Sequence, residues 1–237
     1  MRTRNLQTKP FFTVGIILLV LFITLGVSVH INSDWVSSLD TVLIEKIQAF
    51  ITPGRTAVIM IVSELGNVKL LALLTVIVSC WLFFERKIAE GLWFGGTILF
   101  CAILSTQLLK SLFARERPDG LQLITKTTWS FPSGHATGAT IFYGFIGLIL
   151  ILLTIKVWKK ILIGFVTFMW ISFLLATRIY LGVHFPSDVI GGFLFGLASI
   201  FISAGVYLHV REPLRNILFR MRLPEQSNTF KRTIDNS

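Results

Sequence analysis

The sequence predicts an all-α integral membrane protein, a bundle of six transmembrane helices with both termini in the cytoplasm. Three observations carry that prediction. Of the 237 residues, 54% are apolar and only 14% are charged, too little polar surface to cover a soluble globule of this size. The apolar residues also gather into runs close to the ~20 needed to cross a hydrocarbon core. The basic residues, finally, are concentrated on alternate connections.

The apolar runs place helices at about 11–30, 67–84, 91–112, 135–155, 161–181 and 188–208. The first follows Arg2, Arg4 and Lys9, as a signal peptide would. Its apolar stretch is longer than a cleaved signal requires, so it reads as an uncleaved span, with cleavage after Ser28 as the alternative. Residues 31–66 face outward and carry the stripe Leu39, Leu43, Ile47, Phe50 and Ile51. That stripe fits either a connecting helix packed on the bundle or a lid. Cys80 and Cys101 lie inside apolar runs and read as small core residues, with no disulfide framework.

With the N-terminus inside, Arg2, Arg4, Lys9, Arg86, Lys87, Lys156, Lys159, Lys160 and the cations from Arg211 to Arg232 share the cytoplasmic side. They outnumber those left outside, and the positive-inside rule then sets the orientation. The net charge of +10 therefore reflects topology and contact with anionic lipid, which excludes nucleic acid as its cause. Residues 1–210 form the membrane domain. Residues 211–237 form a basic cytoplasmic tail whose Ile217, Leu218, Phe219 and Met221 fit a surface-lying stretch ahead of a disordered polar end. Trp35 and Trp129 outside, and Trp81, Trp93 and Trp158 inside, fit interfacial anchoring. The spacings Gly134-x3-Gly138 and Gly192-x3-Gly196 predict close helix packing within the bundle.

Polar groups of three segments meet at the outer ends of these helices. Lys110 and Arg117 are two helical turns apart and face one direction if the helix persists to Pro118. Pro132-Ser133-Gly134-His135 opens the fourth span, with Ser133 as its N-cap and free amides that suit an anion. Arg178 closes the fifth span, and Asp188, opening the sixth, lies four residues after His184, close enough to fix the tautomer of that imidazole. Taken singly, each segment also has a structural explanation: snorkelling cations, a capped helix, a His–Asp pair. Three on one face, each supplying a different phosphate-handling group, make a site for a phosphate.

Lys110-x6-Arg117-Pro118, Pro132-Ser133-Gly134-His135 and Thr177-Arg178-x5-His184-x3-Asp188 resemble the three signature motifs of the type 2 phosphatidic acid phosphatase superfamily. The motif region spans 110–188 and departs from the family pattern at Thr177, where serine is usual. The resemblance implies a membrane lipid phosphatase acting on a phosphomonoester or diphosphate, such as phosphatidylglycerophosphate, undecaprenyl diphosphate or phosphatidate. It implies His184 as nucleophile, Asp188 as its orienting carboxylate and His135 as acid–base. Lys110, Arg117, Ser133, Gly134 and Arg178 would bind the phosphate. The expected partners are a phosphorylated lipid and the bilayer, in the cell membrane with the site on the extracytoplasmic side.

His135, His184 and Asp188 are also possible zinc ligands, but three cations beside them would repel the metal and already supply its charge, so neither metal nor cofactor is expected. A lipid phosphotransferase is the alternative enzyme, since an alcohol can replace water. A transporter is the alternative from another class, opposed by polar groups confined to one face and by the lack of an evident repeat. Oligomeric state is left open.

Overall fold

The computed structural model describes residues 2–220, and every element among them is helical. Helix α1 (Arg2–His30) is followed by α2 (Asp34–Gln48), α3 (Pro53–Ser63), a short 3-10 turn (Glu64–Gly66) and α4 (Val68–Phe84). Next come α5 (Ile88–Thr97), a π-helical stretch (Ile98–Ser105) and α6 (Thr106–Phe113), then α7 (Gly134–Leu153), α8 (Val157–Tyr180) and α9 (Pro186–Arg220). Five helices are long and apolar enough to cross a membrane. A sixth span is reached when α3 and α4, bent by 43° at the 3-10 turn, count as one. The expected six spans thus correspond to five such helices and this one broken pair. Of the tail expected from 211, residues 211–220 continue α9 with Leu218 buried, and the remainder, from 221 onward, lies outside the described residues.

Local sequence accounts for the boundaries. Asn67 caps α4 by accepting from the Lys69 amide at 3.0 Å, and Ser133 caps α7 by accepting from Ala136 at 3.3 Å. Proline opens α3 and α9, where its missing N–H removes no helical bond. At the end of α6, Ala114 turns left-handed with φ 43°. The helix therefore stops before Arg117, which reaches its place on a loop and not on the helical face that the spacing predicted.

Contacts between small residues and side chains fix how the spans run. Phe12 meets Gly205 and Gly15 meets Ile202, so α1 and α9 are antiparallel. Gly147 on α7 meets Thr167 on α8, and Gly164 meets Ile151, again antiparallel. In contrast, Gly192 faces Ser133, Gly196 faces Thr140, and Ile200 faces Gly144, so α7 and α9 run parallel. The starts of α7 and α9 and the end of α8 must then lie at one end of the bundle. Gly192 and Gly196 thus serve the predicted packing, whereas Cβ atoms at Gly134 and Gly138 would make only ordinary contacts with α4 and α6.

The side chain of Phe131, fully buried, anchors this end: it stacks on Phe22 at 5.8 Å and meets Phe113 edge-on at 4.8 Å. Outward, Ile16, Ile17, Val20 and Ile23 on α1, and Ile161, Phe165 and Phe168 on α8, are exposed, as lipid-facing surfaces require. Of the expected anchors, Trp35, Trp81, Trp129 and Trp158 are exposed. Trp93 is not an anchor, because it stacks on Tyr207 at 4.5 Å within the bundle. Cys80 is exposed, contrary to the core reading, while Cys101 is half-buried; both are free thiols.

Ile47 and Ile51 of the stripe on residues 31–66 pack on the core, and α2 lies on the bundle against α8 and α9. Phe50 of the same stripe faces outward. Overpacking a tight contact costs about 1–3 kcal/mol. A Cβ at Gly196 would sit 2.7 Å from Thr140 Cβ, whereas one at Gly96 would meet nothing. Gly196→Leu should therefore lower the thermal midpoint of the protein in detergent, and Gly96→Leu should leave it nearly unchanged. Equal midpoints for the two variants would contradict the parallel packing of α7 on α9.

Candidate active site

The first turn of α9 begins the site. The Asp188 side chain has no exposed surface, so its charge must be bonded. Asp188 Oδ2 accepts from the Phe185 amide at 2.9 Å and from the Ser130 hydroxyl, and Oδ1 accepts from Arg115 Nη1 at 2.6 Å. His184 Nδ1 lies 3.4 Å from Oδ2 and 3.2 Å from Ser130 Oγ. Because the serine already donates to the carboxylate, its oxygen and Oδ2 are both acceptors for the proton on Nδ1. That assigns the tautomer and leaves Nε2 with its lone pair.

Nε2 of His184 faces Arg117 Nη1 at 3.3 Å. Arg117 is held by Thr128, donating from Nε to its carbonyl at 2.7 Å and from Nη2 to its hydroxyl at 3.1 Å. It also donates to the Val183 carbonyl. Lys110, buried at the end of α6, donates to the Trp129 carbonyl and to that of Ser130 at 3.2 Å. The 128–130 segment thus fastens both cations. Opposite Lys110, the Cβ position of Gly134 is 3.9 Å from Lys110 Cε. The neighbouring Ser133 donates its amide to the Asp188 carbonyl at 3.0 Å. Gly134 and His135 open α7, where amides have no helical acceptor.

His135 and Arg178 enter from the other side, tied by the 3-10 turn between α3 and α4. Arg178 Nη1 donates to Ser63 Oγ at 2.8 Å. Gly66 is so close to His135 that a Cβ there would lie 2.1 Å from Nε2. His135 Nε2 and Arg178 Nε are buried without a hydrogen-bond partner, and buried polar atoms of that kind call for a ligand or a water. Of the nominated residues, Arg117, His184 and Asp188 are joined by hydrogen bonds and Ser133 by its amide to Asp188, Lys110 and Gly134 lie beside them, and His135 and Arg178 meet Gly66 and Ser63. No three of the described His, Cys, Asp and Glu side chains are grouped as metal ligands would be.

Several participants were not legible in advance. Ser130, Thr128 and Arg115 sit inside the motif region at positions that the family signatures leave free, although Arg115 is two residues from Arg117. Asp40, which accepts from Arg115 Nη2 at 2.8 Å, lies on α2, far along the chain from the motif region. Ser63 and Gly66 carried no signal, since a distant turn brings them in. Two cavities border the site: one of about 730 Å³ between the end of α1, α2 and the Phe113–Arg117 loop, and one of about 150 Å³ with His184 in its wall. Arg117 lines the larger, and neither reaches His135.

The sequence pattern of the PAP2 superfamily matches residues 90–211, and phosphatidylglycerophosphatase B of Bacillus subtilis is 32% identical over 79% of this chain and 92% of its own length. The chain belongs to the PAP2 superfamily. Two further relatives match about half of it: the lipid A 4'-phosphatase of Porphyromonas gingivalis, 29% identical over 55% of this chain and 58% of its own, and an undecaprenyl-diphosphatase of Sulfolobus acidocaldarius, 33% identical over 49% and 54%. The crystal structure of a transmembrane PAP2-type phosphatidylglycerolphosphate phosphatase from Bacillus subtilis matches with a TM-score of 0.71 and 29% identity, covering 81% of this chain and 94% of that one.

Burial lowers the His184 pKa to about 3, with the Asp188 bond opposing the shift and Arg117 and Lys110 adding to it. Unfolded, the same imidazole takes its proton near pH 6.5. Between these values the unfolded chain holds a proton that the folded one lacks, so stability falls as pH drops through that window. The thermal midpoint should therefore decline from pH 7 toward pH 4 more steeply in wild type than in His184→Gln. Parallel declines would show that the buried neutral imidazole is not the cause.

Proposed function

We propose that this PAP2 phosphatase removes a phosphoryl group from a membrane lipid through a phosphohistidine on His184, in a site open to the extracytoplasmic side. The observation that carries the reading is the imidazole itself: Nδ1 is held by Asp188 and Ser130 while Nε2 points at a phosphate-binding guanidinium. In the resting site Arg117 occupies the place a phosphate oxygen would take. An incoming anion draws that guanidinium away and frees the lone pair for attack.

In the first step Nε2 bonds to phosphorus as the bond to the lipid oxygen, or to the inner phosphate of a diphosphate, breaks. His135 gives its proton to the leaving oxygen. In the second step water attacks phosphorus, His135 takes a proton back, and the P–N bond breaks to release inorganic phosphate. Lys110, Arg117 and Arg178 offset the charge on the equatorial oxygens in both steps, with the free amides at the start of α7 completing the cradle. Buried nitrogens without partners on His135 and Arg178 support that assignment, because a bound phosphate would satisfy them. The cations take the place of a metal, so the reaction should proceed in EDTA.

Among substrates, phosphatidylglycerophosphate stands first, because the relative named for that activity matches over nearly its whole length. Undecaprenyl diphosphate and phosphatidate carry the same phosphate chemistry. The positive-inside rule supports cytoplasmic termini and an outer-face site. A phosphotransferase passing the group to an alcohol would share every step except the second.

Purified wild type in EDTA should release phosphate from one or more of these three lipids, and His184→Ala should release none. Near-normal release by His184→Ala would sink the nucleophile. Vanadate, which mimics five-coordinate phosphorus, should inhibit, and indifference to it would count against the cradle. Gly66→Ala should displace His135 and cost about 10- to 100-fold in kcat, because a misplaced proton donor slows departure of the leaving group. An unchanged kcat would show that His135 does not take part.

A further inference from the structure

We infer that Asp40, acting through Arg115, is a positioning residue for the His184–Asp188 pair, so that helix α2 controls the nucleophile without touching the phosphate. The inference rests on the proposed role of His184. Asp40 is buried on the inward face of α2, in a stripe otherwise apolar. Its carboxylate reaches only two residues by hydrogen bonds among those described. Oδ1 accepts from the Ser187 amide at 2.8 Å, and Oδ2 accepts from the Ser187 hydroxyl at 2.7 Å and Arg115 Nη2 at 2.8 Å. Both of those residues touch or adjoin Asp188.

Arg115 is a bridge. One side of its guanidinium bonds Asp40, the other donates from Nη1 to Asp188 Oδ1 at 2.6 Å and to Ser187 Oγ at 2.7 Å. The plane is held over the Phe185 ring, 4.0 Å from its centroid, which suits guanidinium packing on an aromatic face. Ser187 lies in the first turn of α9, whose amides lack helical acceptors. Asp40 therefore caps α9 from a different helix and fixes the turn that carries Asp188.

Charge explains why a second carboxylate is needed. Asp188 and Arg115 alone sum to zero, so the guanidinium would cancel the negative partner that the imidazole requires when its nitrogen bonds to phosphorus and it becomes cationic. Asp40 returns the group of three to a net charge of −1. Replacing it with a neutral side chain leaves Arg115 to pair wholly with Asp188, drawing Oδ2 and its charge from His184. Lys110, Arg117 and Arg178 are untouched by that change, so phosphate binding persists while the chemical step slows.

The test measures kcat, KM and thermal midpoint for wild type, Asp40→Asn, Arg115→Gln, the double variant and His184→Ala, on the lipid phosphate that wild type cleaves fastest. Asp40→Asn should lose about tenfold or more in kcat with KM within about twofold, the signature of an interaction made in the transition state. The double variant removes the unbalanced cation together with its partner. It should therefore turn over faster than Asp40→Asn although its midpoint is no higher, a non-additivity that lost stability alone does not produce. Wild-type kcat in Asp40→Asn, or a double variant no faster than the single, would overturn the inference. Should Asp40→Asn fail to fold, Arg115→Gln carries the test, since two carboxylates without their bridge should also depress kcat at unchanged KM, and an undiminished kcat would overturn the relay. If His184→Ala itself remains active, the phosphohistidine reading fails; if it is dead and Asp40→Asn is not impaired, only the relay fails.

Discussion

A carboxylate with no exposure survives in a protein interior only if its oxygens are bonded, because an unpaired buried charge costs several kcal/mol. Asp188 meets that demand with groups drawn from separate parts of the chain: Arg115 and Ser130 from the long loop, His184 and the Phe185 amide from the turn before α9. Its main-chain carbonyl receives the Ser133 amide as well. One residue thereby registers the loop after α6, the start of α7 and the start of α9 against each other. Displacing Asp188 would free the imidazole, unseat the N-cap serine and leave Arg115 with one of its two carboxylate partners.

The opposite condition holds a few residues away. Lys110, Arg117 and Arg178 bring positive charge into a buried place where the bonds they make are mostly to neutral carbonyls and hydroxyls. Such bonds satisfy donors without cancelling charge. The unpartnered nitrogens of His135 and Arg178 deepen the imbalance. An anion entering here gains Coulomb energy that is not screened as it would be in water, which is the condition a transferring phosphoryl group needs.

Membrane architecture makes both conditions affordable. The spans meet through glycines, so α7 and α9 approach closely enough for Ser133 to touch the first turns of α9. The break between α3 and α4 is a departure from regular helix within a span, and it delivers Ser63 and Gly66 to the site. Irregular backbone at such depth is tolerated when protein covers it. Here the covering residues are Arg178, His135 and Tyr143, whose hydroxyl donates to the Leu65 carbonyl at 2.9 Å.

Span positions and the residues that gather at one end of the bundle were legible in the sequence because they depend on local quantities: length of an apolar run, a capping serine, a histidine four residues from an aspartate. Even there, local reasoning failed where a conformation was conditional. The Lys110 to Arg117 spacing assumed a helix that Ala114 terminates, and Trp93 and Cys80 exchanged their expected surroundings because helix rotation, set by neighbours, decides which face is covered. Asp40, Arg115, Ser130, Ser63 and Gly66 acquire meaning only from partners far along the chain. By itself the sequence determined that this is a membrane bundle with cationic and histidine groups gathered at one end of its helices, since hydropathy and charge act on each segment separately. Tertiary structure alone decided which of those groups bond to His184 and which keep buried nitrogens without a partner, because hydrogen-bond partners depend on where distant helices stop and how they turn.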